Sequence, residues 1–176
     1  MTCLIRQADT EDLPVLPDIE RAAAALFKTI PDLAFVADDK IMSLREHVAM
    51  LRNGVMFVAQ SLEGTSAGEI VGFICGRQVE KTFHIHEMSV LPSHQSKGIG
   101  SSLIAAMLDD AISSRCTLAT LTTFSQVPWN DGFYKKLGFR ALEATEIDTR
   151  LSAILAAESA AGLPADRRCA MAITLK

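Results

Sequence analysis

A strand, a proline stop, a glycine turn and a helix follow one another between Phe83 and Ser114, and this run constrains the fold more than any other feature of the chain. Phe83 to Leu91 is β-rich and is stopped by Pro92. From Gly98 to Ser114 the residues Leu103, Ile104, Met107, Leu108, Ala111 and Ile112 share one helical face. Between the two, Gln95-Ser96-Lys97-Gly98-Ile99-Gly100 sets two glycines directly before the helix. Several backbone amides can then converge where the helix dipole favours an anion, so a phosphate or pyrophosphate fits there. The turn is not a Walker loop, since no GK[ST] follows, and not a dinucleotide fingerprint, because Leu103 stands where the third glycine belongs.

The remaining segments build an α/β pattern around that run. Cys3 to Ala8 reads as a strand, Asp9 to Asp12 carries helix-cap chemistry, and the Ala-rich Ile19 to Phe27 continues a helix. Lys28 to Ala37 is expected to be loop. A second helix is predicted over Asp39 to Arg52, with Ile41, Leu44, Val48 and Leu51 at helical spacing and Gly54 just past its end. Val55 to Gln60 and Glu69 to Arg77 read as two strands of a hairpin. Downstream come a strand at Thr117 to Phe124, a short helix at Asp131 to Leu137 closed by Gly138, a helix at Thr149 to Ala161 broken by Gly162-Leu163-Pro164, and a last strand from Arg168 to Leu175. At 176 residues the chain is expected to form one domain, residues 1–176.

Composition removes several function classes. With 49% hydrophobic and 22% charged residues the chain is globular, and no apolar run is long enough to cross a bilayer, so no membrane partner is expected. The N-terminus lacks the basic start and apolar stretch of a secretion signal, which predicts a cytoplasmic protein. Cys3, Cys75, Cys116 and Cys169 lie far apart and form no CxxC pair, so reduced, mostly buried thiols are expected rather than a zinc site or a disulfide scaffold. A net charge of −4 argues against a nucleic-acid partner, which would need clustered Lys and Arg.

Two blocks, HIHEMSVLPSHQSKGIGSSL and VPWNDGFYKKLGF, resemble the GNAT superfamily of N-acetyltransferases in order and spacing. The resemblance implies a single GNAT-like domain of the α/β (α+β) class, whose central mixed, mostly antiparallel sheet is splayed after the fourth strand and flanked by helices. It implies acetyl-CoA as co-substrate, its pyrophosphate held by Gln95, Ser96, Lys97, Gly98, Ile99, Gly100 and Ser101, and its pantetheine arm hydrogen-bonded along Met88, Ser89 and Val90. Phe133 belongs to the same set. The asparagine often found six residues before the tyrosine of the second block is here Pro128, and Asn130 is the nearest substitute.

Acetyl transfer needs a deprotonated amine, a polarised thioester carbonyl and a proton source for the departing thiolate. Tyr134, the only tyrosine, is by resemblance the general acid. Along the strand His84, His86, Met88 and Val90 point to one face and Ile85, Glu87, Ser89 and Leu91 to the other. The two imidazoles on one face are the expected base, with Glu87 the competing carboxylate. No metal is expected: His47 and His94 lie far from the pair in sequence, and no HExxH or Cys/His cluster exists. The expected acceptor is a primary amine of a small molecule. The alternatives are a protein or peptide acetyltransferase and a non-catalytic acyl-CoA sensor. Assembly as a homodimer is left open.

Overall fold

The computed structural model describes residues 3–176. Among them seven strands form one sheet: β1 (Cys3–Gln7), β2 (Val55–Ser61), β3 (Ile70–Val79), β4 (Thr82–Val90), β5 (Leu118–Phe124), β6 (Arg140–Ala141) and β7 (Arg168–Thr174). Their order is β1-β2-β3-β4-β5-β7-β6. The β1/β2, β2/β3, β5/β7 and β6/β7 pairs are antiparallel, and β4 pairs with β5 in parallel. The fold is therefore α/β with a mixed, mostly antiparallel sheet flanked by helices, as the sequence predicts. The helices are α1 (Leu16–Ala24), α2 (Leu44–Asn53), α3 (Ile99–Ser113), α4 (Asp131–Lys136) and α5 (Thr149–Ala160). None of the described helices is long and apolar enough to cross a membrane.

The chain divides into two units, and β4 belongs to both. The first unit comprises residues up to Arg77 together with His86–Asp110. Its core gathers Leu13, Leu16 and Ile19 from the start of the chain, Met50 from α2, and Met56, Val58, Phe73 and Cys75 from β2 and β3. Phe73 and Cys75 alternate onto that face, and Ile70 rather than Val71 packs against it because the β2/β3 register shifts between Ala59 and Gln60. The second unit comprises Gln78–Ile85 and Ala111–Lys176. There the β5/β7 ladder runs from Leu118↔Thr174 to Phe124↔Arg168, around buried Ala119, Leu121, Leu151 and Met171. The β4/β5 ladder covers four pairs, Thr82↔Leu118 through Ile85↔Leu121, so only the first half of β4 is laddered to β5.

Several boundaries differ from expectation for local reasons. The second helix starts at Leu44 rather than Asp39, because Ser43 accepts from the Glu46 N–H while the Glu46 side chain returns to the Ser43 backbone, a complete capping box. Its buried residues are His47 and Met50, Val48 and Leu51 pack partly buried against the same core, and Leu44 is 47% exposed. Helix α1 ends at Ala24, and the predicted loop is wound into 3-10 turns at Ala25–Thr29 and Pro31–Asp38. In α3, Leu103, Ile104, Met107 and Ala111 are buried as expected, but Ile112 is 40% exposed. The two-residue strand β6 has no counterpart in the sequence reading. Cys3, Cys75 and Cys116 are buried and Cys169 is half-buried.

Candidate active site

The glycine turn lies in the first unit. After Val90 the chain makes a 3-10 turn at Pro92–His94, and the Gln95 amide donates to the Val90 carbonyl at 2.9 Å, tying the turn to the strand end. Ser96 (φ 59°) and Gly98 (φ 81°) both take the left-handed conformation, which bends the backbone into a hollow before α3 begins at Ile99. The Ser102 N–H bonds to the Gly98 carbonyl at 3.0 Å, closing the first helical turn. A Cβ built on Gly98 would meet nothing within 4 Å, so the space beside this backbone is open. Gln95, Gly100 and Ser101 are half-buried, Ser96, Lys97 and Gly98 exposed, and Ile99 is buried and anchors the helix start. These residues fit a pyrophosphate: open backbone and small side chains at the amino end of a 15-residue helix.

The second half of β4 supplies the other residues of this unit. Ser89 and Val90 are buried, Met88 and Glu87 half-buried, and His86 exposed. The Ser89 hydroxyl donates to Glu87 Oε1 at 2.8 Å. Helix α1 brings Glu20, whose carboxyl is pushed up to about 8 by burial and then by the Glu87 carboxylate, against a hydrogen bond from the Met42 backbone. The Cys75 thiol is raised by the same burial and the same Glu87 charge. His47, on α2, is fully buried, its ring 5.2 Å from that of Phe73 in an edge-on contact, and burial lowers its pKa. Sequence reasoning missed Glu20 and His47. The available signal was that Glu20 stands one helical turn from Leu16, and that His47 sits one turn before Met50.

The remaining predicted residues lie in the second unit. His84 is 3% exposed, and its Nδ1 is 3.0 Å from the Thr120 hydroxyl, which also accepts from Arg150 Nη2 at 3.2 Å. His84 and His86 share a strand face by alternation, but one is buried in a sheet network and the other exposed. The structure does not give them equivalent settings. Tyr134, half-buried on α4, has its ring edge-on to Phe133 at 5.2 Å and to Phe139 at 5.7 Å. The Asn130 carbonyl accepts the N–H groups of Phe133 and Tyr134, while its side chain makes no capping bond. Gly138 takes φ 94° so that the Phe139 N–H can return to the Tyr134 carbonyl, and buried Phe139 locks the helix end. Among the described residues no three His, Cys, Asp or Glu side chains are grouped to hold a metal ion.

Comparison with known proteins gives the family and the fold. Residues 22–139 match the family described as Acetyltransferase (GNAT) family. The ribosomal-protein-S18-alanine N-acetyltransferase of Escherichia coli superposes with a TM-score of 0.68 at 16% identity, covering 99% of this chain and 94% of that one. The PaiA N-acetyltransferase of Thermoplasma acidophilum, solved with coenzyme A, gives 0.69 at 15% identity over 99% of both chains. The N-acetylglutamate synthase of Neisseria gonorrhoeae, complexed with coenzyme A and N-acetyl-glutamate, gives 0.72 at 15% identity over 100% of this chain and 36% of that one. At such identities the structural likeness speaks for the fold. The family match extends from α1 through the glycine turn to Phe139, and on that ground the chain belongs to the GNAT family of acetyltransferases, which take their acetyl group from acetyl-CoA.

Proposed function

We propose that this protein moves an acetyl group from acetyl-CoA to a primary amine of a small molecule. The observation that carries the reading is the turn in which Ser96 and Gly98 are both left-handed, at the mouth of α3 and tied by Gln95 to the end of β4. The backbone of Gln95 to Ser101 would hold the pyrophosphate, and the strand end at Met88 to Val90 would align the pantetheine amides. When bound, acetyl-CoA supplies an acetyl group already activated as a thioester. The chain's own residues must then hold the amine, remove its proton and return one to the leaving sulfur.

Glu87 is our choice of base. Its Oε1 is oriented by the Ser89 hydroxyl, whereas His84 is buried against Thr120. A proton acceptor must reach the amine directly or through one water, and half-buried Glu87 is more accessible than buried His84. His86 is the second choice. Tyr134, steadied by Phe133 and Phe139, would give its phenolic proton to the thiolate. The test is calorimetry with acetyl-CoA beside thiol release with a panel of amines. Gly98→Val, strained at φ 81°, should lose acetyl-CoA affinity. Tyr134→Phe should keep that affinity and lower turnover by roughly 10²-fold. Wild-type affinity in Gly98→Val, or wild-type turnover in Tyr134→Phe, contradicts the assignment.

A further inference from the structure

Glu20 and His47 take no part in the steps above, yet both are turned into the first unit. The face of α1 that buries Leu16 also carries Glu20 inward, leaving 13% of its side chain exposed. Both Glu20 oxygens face the Met42 N–H, at 3.1 and 3.2 Å. Oε2 lies 3.9 Å from Nε2 of His47, whose side chain is fully buried. Neither ring nitrogen of His47 has a hydrogen-bond partner. A neutral imidazole has one N–H to give and one lone pair to fill, and leaving both unmet in a buried place is unfavourable.

Building on the acceptor reading above, we propose that Glu20 is a second, specificity-determining carboxyl of the acceptor site, which with Glu87 takes an alkylamine in its ammonium form and turns away amines that carry a carboxylate. Two carboxyls that feel each other in a poorly solvated place cannot both be ionised, so one retains a proton until a cation arrives. The groups acting on Glu20 come from every neighbouring element. Glu87 on β4 and Glu46 on α2 are negative, Arg21 on α1 is positive, and the Met42 N–H, His47 on α2 and the Cys75 thiol on β3 are neutral. The negative charges and burial outweigh Arg21, and the carboxyl stays protonated up to about 8. An ammonium group reverses that balance. Glu20 then ionises, and the His47 Nε2–H, a small movement away across the 3.9 Å gap, is the donor that the new carboxylate gains. An acceptor bearing its own carboxylate would instead bring a third negative charge to the pair.

Carboxyl-carbon NMR of the full-length protein tests this directly, with Glu20→Gln assigning the resonance while retaining an oxygen for Met42. The probes are cadaverine and δ-aminovalerate, five-carbon chains that differ in one terminal group. Saturating cadaverine should lower the Glu20 midpoint by about one pH unit or more, and δ-aminovalerate should leave it in place. The wild-type preference in kcat/KM for cadaverine over δ-aminovalerate should shrink about tenfold in Glu20→Gln. A Glu20 midpoint that cadaverine does not move, or that both probes move alike, overturns the inference. If the protein binds acetyl-CoA but acetylates neither probe, the small-amine reading fails, and the titration still decides whether Glu20 belongs to a cation site.

Discussion

The cluster around Glu158 and the cluster around Glu20 are built in opposite ways. Glu158 on α5 accepts from Arg168 Nε and Nη2, both at 2.9 Å, and from the Thr122 hydroxyl at 2.5 Å. Arg168 also lies 4.5 Å over the Phe124 ring and reaches the Thr122 hydroxyl at 3.3 Å. Each charge is answered, and the network joins α5 to β5 and β7. Around Glu20 burial and the like charges of Glu87 and Glu46 outweigh Arg21, and the fully buried His47 meets no hydrogen-bond partner. A satisfied buried network holds elements in place; an unsatisfied one is retained at a cost, and strained electrostatics of that kind concentrate at sites that wait for a ligand.

The two clusters should differ most in stability. Glu158→Gln leaves Arg168, 10% exposed, without its counter-charge and should cost about 3 kcal/mol, lowering Tm by roughly 6–12 °C. Turnover of the remaining folded protein should be unchanged. His47→Leu removes two unmet polar atoms from a buried place, so stability in urea should stay within about 1 kcal/mol of wild type and rise rather than fall. A loss as large as that of Glu158→Gln would mean that His47 is structural after all.

The smallest effect lies in the pH dependence. Glu20 holds its proton up to about 8 in the folded protein but only to about 4.5 in the unfolded chain, so its stabilising contribution is complete below 4.5 and drains away as pH rises to 8. His47, whose pKa is lowered by burial, works in the opposite direction but only below 6.5. Between pH 6.5 and 8, therefore, wild type should lose more unfolding free energy than Glu20→Gln, read from parallel denaturant curves. Equal losses would remove Glu20 from the titrating groups.

The glycine turn was legible because its chemistry is local. Gly98 must adopt φ 81°, Pro92 must stop a strand, and the apolar residues of α3 repeat at helical spacing, all within one short segment. Hairpin β2/β3 and the last strand were legible for the same reason, with alternation and breakers close together. The coupling of the two carboxyls was not, because Glu20 and Glu87 lie far apart in sequence and only the folded chain lets the Glu87 charge act on Glu20. His47 was hidden by its own helix: Leu44, Val48 and Leu51 carry the apolar pattern, yet the most buried positions are His47 and Met50. The sequence also assigned His84 and His86 one role from their common strand face, and burial, which alternation does not report, separates them.

In the proposed mechanism the carboxylate on β4, and not the imidazole pair, removes the acceptor's proton. The direct measurement is kcat/KM for a cationic alkylamine across pH in wild type, Glu87→Gln and His86→Gln, with acetyl-CoA affinity recorded for each. Glu87→Gln should fall by at least about 10²-fold with its pH dependence altered and acetyl-CoA binding unchanged, while His86→Gln stays near wild type. A Glu87→Gln enzyme that keeps wild-type turnover, together with a His86→Gln enzyme that loses both rate and pH profile, would contradict it.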